Sequence, residues 1–417
     1  MFAEIISIGE ELLIGQTTNT NASWMAVRLN AIGIRVQRIT VIGDDPGEII
    51  DMLQQASQRT ELILVTGGLG PTRDDVTKAA ICKFFHCQLV MNKTVMADNE
   101  AFFRRRGLGM NELNRQQAML PDQAKVFRNP YGTAAGLWFE KDHNLYAFMP
   151  GVPHEMKHMT EDYLLPELKS RTGNHHILHK TILTQGIGES FLADKISDWE
   201  DSLPSPIRLA YLPSPGIVKL RLSTEGPDKP TLEKSLEEAV SGLHKLIPEY
   251  IWGLDEEMLE EVIGEKLRLL GKSMATAESC TGGHIAAKIT NVPGCSAYFK
   301  GSVVAYSNAV KEQILGVPAN LIAIHGAVSR EVTEAMAAGC MAMLHADYAI
   351  AVSGIAGPSG GSPEKPAGTV WITVSGHGHM ESKRFQFGDT RDRNIVRAGV
   401  AALGMLNTML DKNRTAI

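Results

Sequence analysis

The sequence predicts a multidomain α/β protein, and three observations carry that expectation. The chain has 417 residues, whereas single cores rarely grow beyond about 250–300, so two or three domains are expected. Short β-branched runs alternate with segments of helical periodicity from the first residues onward, the pattern of a parallel sheet with helices on both faces. The strand-like runs end in glycine-rich turns, as at Gly67-Gly68-Leu69-Gly70, where ligands bind in open α/β sheets.

In chain order, residues 4–8 read as a strand, 19–29 as a helix, 34–42 as a strand, 46–57 as a helix, 62–66 as a strand and 75–85 as a helix. A boundary is expected near Arg171-Thr172-Gly173-Asn174, after a helix that begins at Val152-Pro153. Residues 175–250 read as a small α/β unit. Its helix is marked by Leu232, Leu236, Val240, Leu243 and Ile247, and its strands, 209–211 and 218–222, flank Pro213-Ser214-Pro215-Gly216. From residue 251, Met258, Leu259, Val262, Ile263, Leu267 and Leu270 form an amphipathic helix stopped by Gly271. Strand-like runs follow at 273–278, 302–306, 347–353 and 369–375. The expected domains are 1–170, 171–250 and 251–417.

Composition narrows the function. A net charge of -6, from 41 basic and 47 acidic residues, argues against broad nucleic-acid binding but leaves room for small phosphorylated ligands. The five cysteines are an odd number without a Cys-x-x-Cys pair, so neither a disulfide framework nor a zinc site is expected, and a reducing cytoplasm is the simplest location. No apolar run reaches ~18 residues, and the first residues read straight into a strand, so neither a membrane span nor a signal peptide is expected.

The densest chemistry lies in Thr276-Ala277-Glu278-Ser279-Cys280-Thr281-Gly282-Gly283, between a strand and a helix-like run at 284–289. Such a turn aims backbone N–H groups at one spot, which suits an oxyanion or phosphate, and a nucleophile on it is the layout of covalent acyl transfer. Ser279 and Cys280 compete as nucleophiles, Cys280 being intrinsically stronger near neutral pH but equally a packing residue. Lys311 is the candidate base, since burial can lower a lysine pKa, with Tyr306 or Thr369 to relay a proton or orient it. The bland alternatives are a helix-capping Ser279 and an exposed helix lysine. The loop 354–361, with Gly354 and Gly357, can enclose a substrate, and Arg393 or Arg397 can hold a phosphate.

A second constellation runs from Gly67 to Thr77. Gly67, Gly68 and Gly70 permit close approach to a phosphate, Thr72 adds a hydroxyl, and Asp74 and Asp75 beside a phosphate call for a cation. Asp44-Asp45, after the preceding strand, is placed to join them. The alternative is that Asp74 and Asp75 merely cap the next helix. Arg115 is a candidate phosphate fork.

These motifs resemble a known family. Glu278–Gly283, Gly301–Asn308 with Lys311, His325-Gly326-Ala327-Val328-Ser329, Ser353–Pro358 and Lys365-Pro366-Ala367-Gly368-Thr369-Val370 are similar to the nicotinamide-nucleotide amidases. Gly9–Gln16 with Asn19-Thr20-Asn21, Gly67–Thr77 and Pro150–Met156 resemble a three-layer molybdopterin-binding-like domain. Together, over nearly the whole chain, they resemble the CinA family of competence/damage-inducible proteins. The resemblance implies deamidation of nicotinamide mononucleotide to nicotinate mononucleotide and ammonia, with Ser279 as nucleophile and Lys311 as base. Thr281, Gly282, Gly283 and Asn308 would line that substrate. It also implies metal-dependent hydrolysis of ADP-ribose to AMP and ribose 5-phosphate at Asp44 and Asp75. The ion would be divalent, of the magnesium or cobalt type, with potassium a further candidate; the amidase needs no cofactor. A homodimer is implied, with no membrane partner. The middle segment resembles a KH-like module, but Gly186-Ile187-Gly188-Glu189 departs from its clamping Gly-x-x-Gly loop, so no RNA binding is implied. The family's arginine motif follows a Gly-Asp pair directly. Here Gly388-Asp389-Thr390-Arg391-Asp392-Arg393 carries extra residues, and the Arg393–Arg397 spacing fits best. Two other functions remain open: an amidase whose N-terminal domain only binds nucleotides, and a non-enzymatic accessory protein of DNA uptake or repair.

Overall fold

The computed structural model describes residues 1–72, 75–388 and 390–414, the side chains of residues 413 and 414 aside. It is α/β throughout and divides into two compact units, residues 1–178 with 224–233, and residues 179–223 with 234–417.

The first unit is built on a six-stranded sheet in the order Arg35–Ile42, Phe2–Ile8, Leu62–Thr66, Asn144–Met149, Gly136–Lys141, Lys125–Phe127. The first four strands are parallel, as the alternation predicts. Leu62–Thr66 is buried along its whole length, as a strand covered on both faces must be. Ile63 and Val65 face one apolar core, Leu62 and Leu64 the other. The sheet is not wholly parallel: Gly136–Lys141 and Asn144–Met149 form an antiparallel hairpin. Its turn holds Asp142 and His143 at φ 51° and 68°, the doubly left-handed geometry of a tight hairpin, without the glycine that would have marked it. The helix expected from residue 19 begins at Thr20, with the Asn19 side chain accepting from the Ala22 N–H at 3.2 Å.

The second unit holds most of a four-stranded sheet, Arg208–Ser214, Ile217–Gly226, His176–Gln185 and Ile251–Leu254 in that order. The strand expected at 209–211 runs on through Pro213. It lies at the sheet edge, where a residue without an N–H costs no ladder bond.

Its larger sheet has the order Phe299–Val304, Met274–Glu278, Tyr348–Gly354, Thr369–Gly376, His379–Gln386. The second strand is parallel to both neighbours. In Tyr348–Gly354, Ile350 and Val352 face a core shared with the helices Leu259–Leu270 and Arg391–Arg414. Ala349 and Ala351 face the other way, against the helix Arg330–Leu344. The small side chains let that helix approach closely. A Cβ on its Gly339 would fall 1.9 Å from the Leu315 carbonyl oxygen. Among the described residues no helix is long and apolar enough to cross a membrane.

Candidate active sites

The chain leaves Met274–Glu278 to form one neighbouring strand and crosses over to form the other. The carboxyl end of this central strand is therefore the switch point where α/β ligands bind. Ser279 stands there, 7% exposed, its N–H donating to the Val352 carbonyl at 2.9 Å. The buried Glu278 carboxylate braces the turn from beneath, accepting from the backbone N–H groups of Gly283 (3.0 Å), Ile285 (3.1 Å) and Ala286 (2.8 Å). A carboxylate at the start of the helix His284–Thr290 satisfies donors that the helix itself leaves open. Gly282 and Gly283, at φ +61° and +97°, complete a turn that side-chain-bearing residues avoid.

Lys311 meets Ser279 from the other side. It lies on the helix Asn308–Gln313, whose first turn is capped by the Ser307 hydroxyl accepting from the Val310 N–H at 3.3 Å. The strand expected at 302–306 instead spans Phe299–Val304. Its early end turns the carbonyls of Ala305 and Tyr306 toward the lysine. Lys311 is 1% exposed. Its Nζ donates to the Ala305 carbonyl at 2.7 Å and the Tyr306 carbonyl at 3.4 Å, and lies 3.1 Å from Ser279 Oγ. Among the described residues no carboxylate forms an ion pair with it. Burial pushes the amine below the ordinary lysine value, against an opposing pull from Cys280. A neutral amine has two N–H groups for the two carbonyls and a lone pair for Ser279 Oγ.

Cys280 turns into the core beside Ile285 and Val352, and burial pushes its thiol up to about 12, far from the reactive thiolate. Gly354 is what allows the neighbouring strand end this close, since a Cβ there would lie 3.0 Å from Cys280 Sγ and 2.8 Å from the Thr369 carbonyl. Thr281 is buried, with no partner for its hydroxyl among the described residues. Asn308 is exposed at the start of its helix.

Two proton-relay candidates lie elsewhere. The Thr369 hydroxyl donates to Gln386 Oε1 at 2.8 Å. Tyr306 is 61% exposed, and its phenol oxygen accepts from Arg391 Nη2 at 3.0 Å; its carbonyl, not its hydroxyl, meets Lys311. Arg391 also reaches the Gly357 carbonyl at 3.4 Å. The arginine at this rim is thus Arg391, where the sequence spacing pointed to Arg393 and Arg397. Arg393 is exposed, and Arg397, further along the helix, lines a different cavity.

In the first unit, a cavity of about 340 Å³ lies at the carboxyl ends of Phe2–Ile8, Leu62–Thr66 and Asn144–Met149. Gly67, Gly68, Gly70, Asp44 and Asp75 line it, as do Glu11 and Glu155. Asp75 folds the glycine loop over itself. It accepts from the N–H groups of Gly70 and Thr72, each at 2.8 Å, and from the Thr72 hydroxyl. Asp44 accepts from the Glu10 N–H at 3.1 Å. Asp45 takes the bland role, capping the helix Pro46–Ser57 through the Glu48 N–H at 2.9 Å. Arg115, exposed on the short helix Glu112–Gln116, lines a separate surface cavity. Asp74 lies outside the described residues.

Two groups, Glu155 on the cavity wall and Lys78 outside its lining, were not among the expected site residues. Glu155, bonded by Asn129 Nδ2 at 2.6 Å, is pushed up by burial; its only sequence signal is the run Pro150-Gly151-Val152-Pro153. Lys78 is lowered to about 8 by burial, against the pull of Asp75. The donor set of the cavity is all oxygen, the chemistry of a hard divalent cation. Among the described residues no group of three or more His, Cys, Asp or Glu could hold a metal ion by itself, so any ion here would need further oxygen ligands from a bound phosphate.

Three family models match the chain: the probable molybdopterin binding domain over residues 4–170, the damage-inducible protein CinA KH domain over 179–253, and the CinA C-terminal domain over 256–410. A "CinA-like protein" of Cytophaga hutchinsonii is 42% identical over 410 residues, 98% of each chain. A "putative competence-damage inducible protein" of Halothermothrix orenii is 44% identical over 396 residues, 94% of this chain and 95% of its own. Among solved structures, the competence/damage inducible protein CihA of Agrobacterium tumefaciens is similar at 38% identity. It covers 37% of this chain and 93% of its own, with a TM-score of 0.36.

Proposed function

This chain belongs to the CinA family, and we propose that it is a hydrolase of pyridine nucleotides with a serine–lysine amidase in its C-terminal domain. The substrate is nicotinamide mononucleotide. The observation that supports this reading is the 3.1 Å approach of Ser279 Oγ to a buried Lys311 that has no counter-ion among the described residues.

Neutral Lys311 accepts the Ser279 proton as Oγ attacks the carboxamide carbon. The amides of Ser279, Gly282 and Gly283 are already spent within the protein, which leaves the N–H groups of Cys280 and Thr281 for the oxyanion. The tetrahedral intermediate collapses as Lys311 returns its proton to the leaving nitrogen, expelling ammonia and leaving the nicotinoyl group of the mononucleotide as an ester on Ser279. Water then attacks the ester, giving its proton to Lys311, and the carboxylate of nicotinate mononucleotide departs as Ser279 recovers its hydrogen. Arg391, at the rim, is suited to the substrate phosphate. Wild-type protein incubated with nicotinamide mononucleotide should release ammonia and nicotinate mononucleotide in equal amounts. A folded protein that releases neither is not this amidase.

The N-terminal cavity supports a second reaction, hydrolysis of the ADP-ribose pyrophosphate to AMP and ribose 5-phosphate. A divalent ion bound there would supply Lewis-acid polarisation of phosphoryl oxygens. Asp44 and Asp75 would hold it, the Gly67–Gly70 backbone would lie against a phosphate, and Glu155 is disposed to take a proton at the wall. AMP formation that requires added divalent ion supports the reading. Saturable ADP-ribose binding without AMP would leave a binding module in its place.

A further inference from the structure

A cavity of about 900 Å³ lies wholly within the second unit and belongs to neither site above. One wall comes from the strand end and loop at Gln185–Glu189 with Tyr250, the other from the strand His379–Gln386 and the helix Arg391–Arg414. We infer that it binds a mononucleotide whose base carries an amino group.

Four observations give that ligand its chemistry. First, Gln185 lines the cavity, and its side-chain oxygen is buried with no partner among the described residues, an acceptor that lacks a donor. Second, this amide is seated by design of the backbone. It rests against Gly404, where a Cβ would fall 2.5 Å from it. Glycine in a helix interior is less favourable than alanine, so its presence needs a local reason, and seating the amide is one. Third, Phe385 and Phe387 stack 5.5 Å apart at 13° and, with Tyr250, line the cavity. Such half-buried rings suit a planar base. Fourth, the carboxylates are not all free to repel an anion. Glu381 pairs with Lys383 at 2.7 Å and Glu249 with Lys195 at 3.8 Å. Arg397, in contrast, has no carboxylate partner among the described residues and faces the same space. An amino-bearing base against the rings, its N–H donating to Gln185, and a phosphate on Arg397 satisfy all four.

The helix Arg391–Arg414 links this cavity to the Ser279 site. Its Arg391 contacts Tyr306 and Gly357, and the side-chain nitrogen of its buried Asn394 donates to the carbonyls of Ala356 at 3.0 Å and Gly388 at 2.8 Å.

The test is calorimetric titration of the full chain with AMP, with adenosine and ribose 5-phosphate as partial ligands. AMP should bind saturably below about 1 mM, and each fragment should bind more weakly. Arg397→Ala should weaken AMP by roughly tenfold or more and leave adenosine unchanged. Gly404→Ala, which favours the helix while displacing only the Gln185 amide, should weaken AMP and adenosine alike. Absence of saturable AMP binding, or AMP affinity unchanged in both variants, overturns the assignment; the latter would put AMP at another site.

Discussion

Lys311 is the residue on which the chemistry turns, because its work depends on being uncharged. Burial lowers its pKa, so amidase kcat should rise with pH through that lowered value and level off while free lysine is still protonated. A rate that falls over the same range would exclude a neutral-amine base. Lys311→Arg keeps a cation that cannot deprotonate, and it should reduce kcat by roughly 10³-fold or more, measured as ammonia release. The linkage has a defined sign. Between the lowered folded value and the ordinary one near 10.5, the unfolded chain holds a proton that the folded chain lacks, so this group makes stability rise with pH in that window. Ser279 and Lys311 were legible in the sequence because a nucleophile on a strand–turn–helix has a local signature. Arg391 was not, because the extra residues after Gly388 break the spacing by which such an arginine is recognised.

At the scale of elements, the Ser279 turn is held by Glu278 and the Lys311 segment by the close approach of the helix Arg330–Leu344. Glu278→Gln replaces an acceptor oxygen with a donor facing backbone N–H groups. It should cost about 1–3 kcal/mol in denaturant unfolding and lower kcat by disordering the turn. Gly339→Ala places a methyl on the Leu315 carbonyl, and Leu315 is tied to the Lys311 helix through the Val317 N–H bonded to the Lys311 carbonyl at 3.0 Å. It should lower stability by about 1–3 kcal/mol; an unchanged Tm would mean the helix can move aside. The parallel strands were readable because full burial writes continuous apolar runs. The hairpin at Asp142-His143 was not, since its turn lacks glycine, and the passage of a strand through Pro213 was hidden because only an edge position tolerates it.

Across the whole molecule, two cavities with different chemistry stand in separate compact units. Asp75→Asn weakens the closure of the Gly70–Thr72 loop and should abolish metal-dependent AMP release from ADP-ribose while nicotinamide mononucleotide deamidation stays within about twofold, an order-of-magnitude bound for sites that share no residues. The order of domains was visible in the sequence because each carries its own glycine-rich turns. The cavity at Gln185 and Arg397 was not, because its walls come from segments far apart in the chain, from Gln185 to Phe385 and Arg397, and no local pattern joins them. The account's central claim is that Ser279, not its buried neighbour Cys280, attacks the amide. It is tested most directly by ammonia release from nicotinamide mononucleotide in Ser279→Ala and Cys280→Ala, side by side. The account predicts a loss of roughly 10³-fold or more for Ser279→Ala and less than about tenfold for Cys280→Ala; the reverse ranking would contradict it.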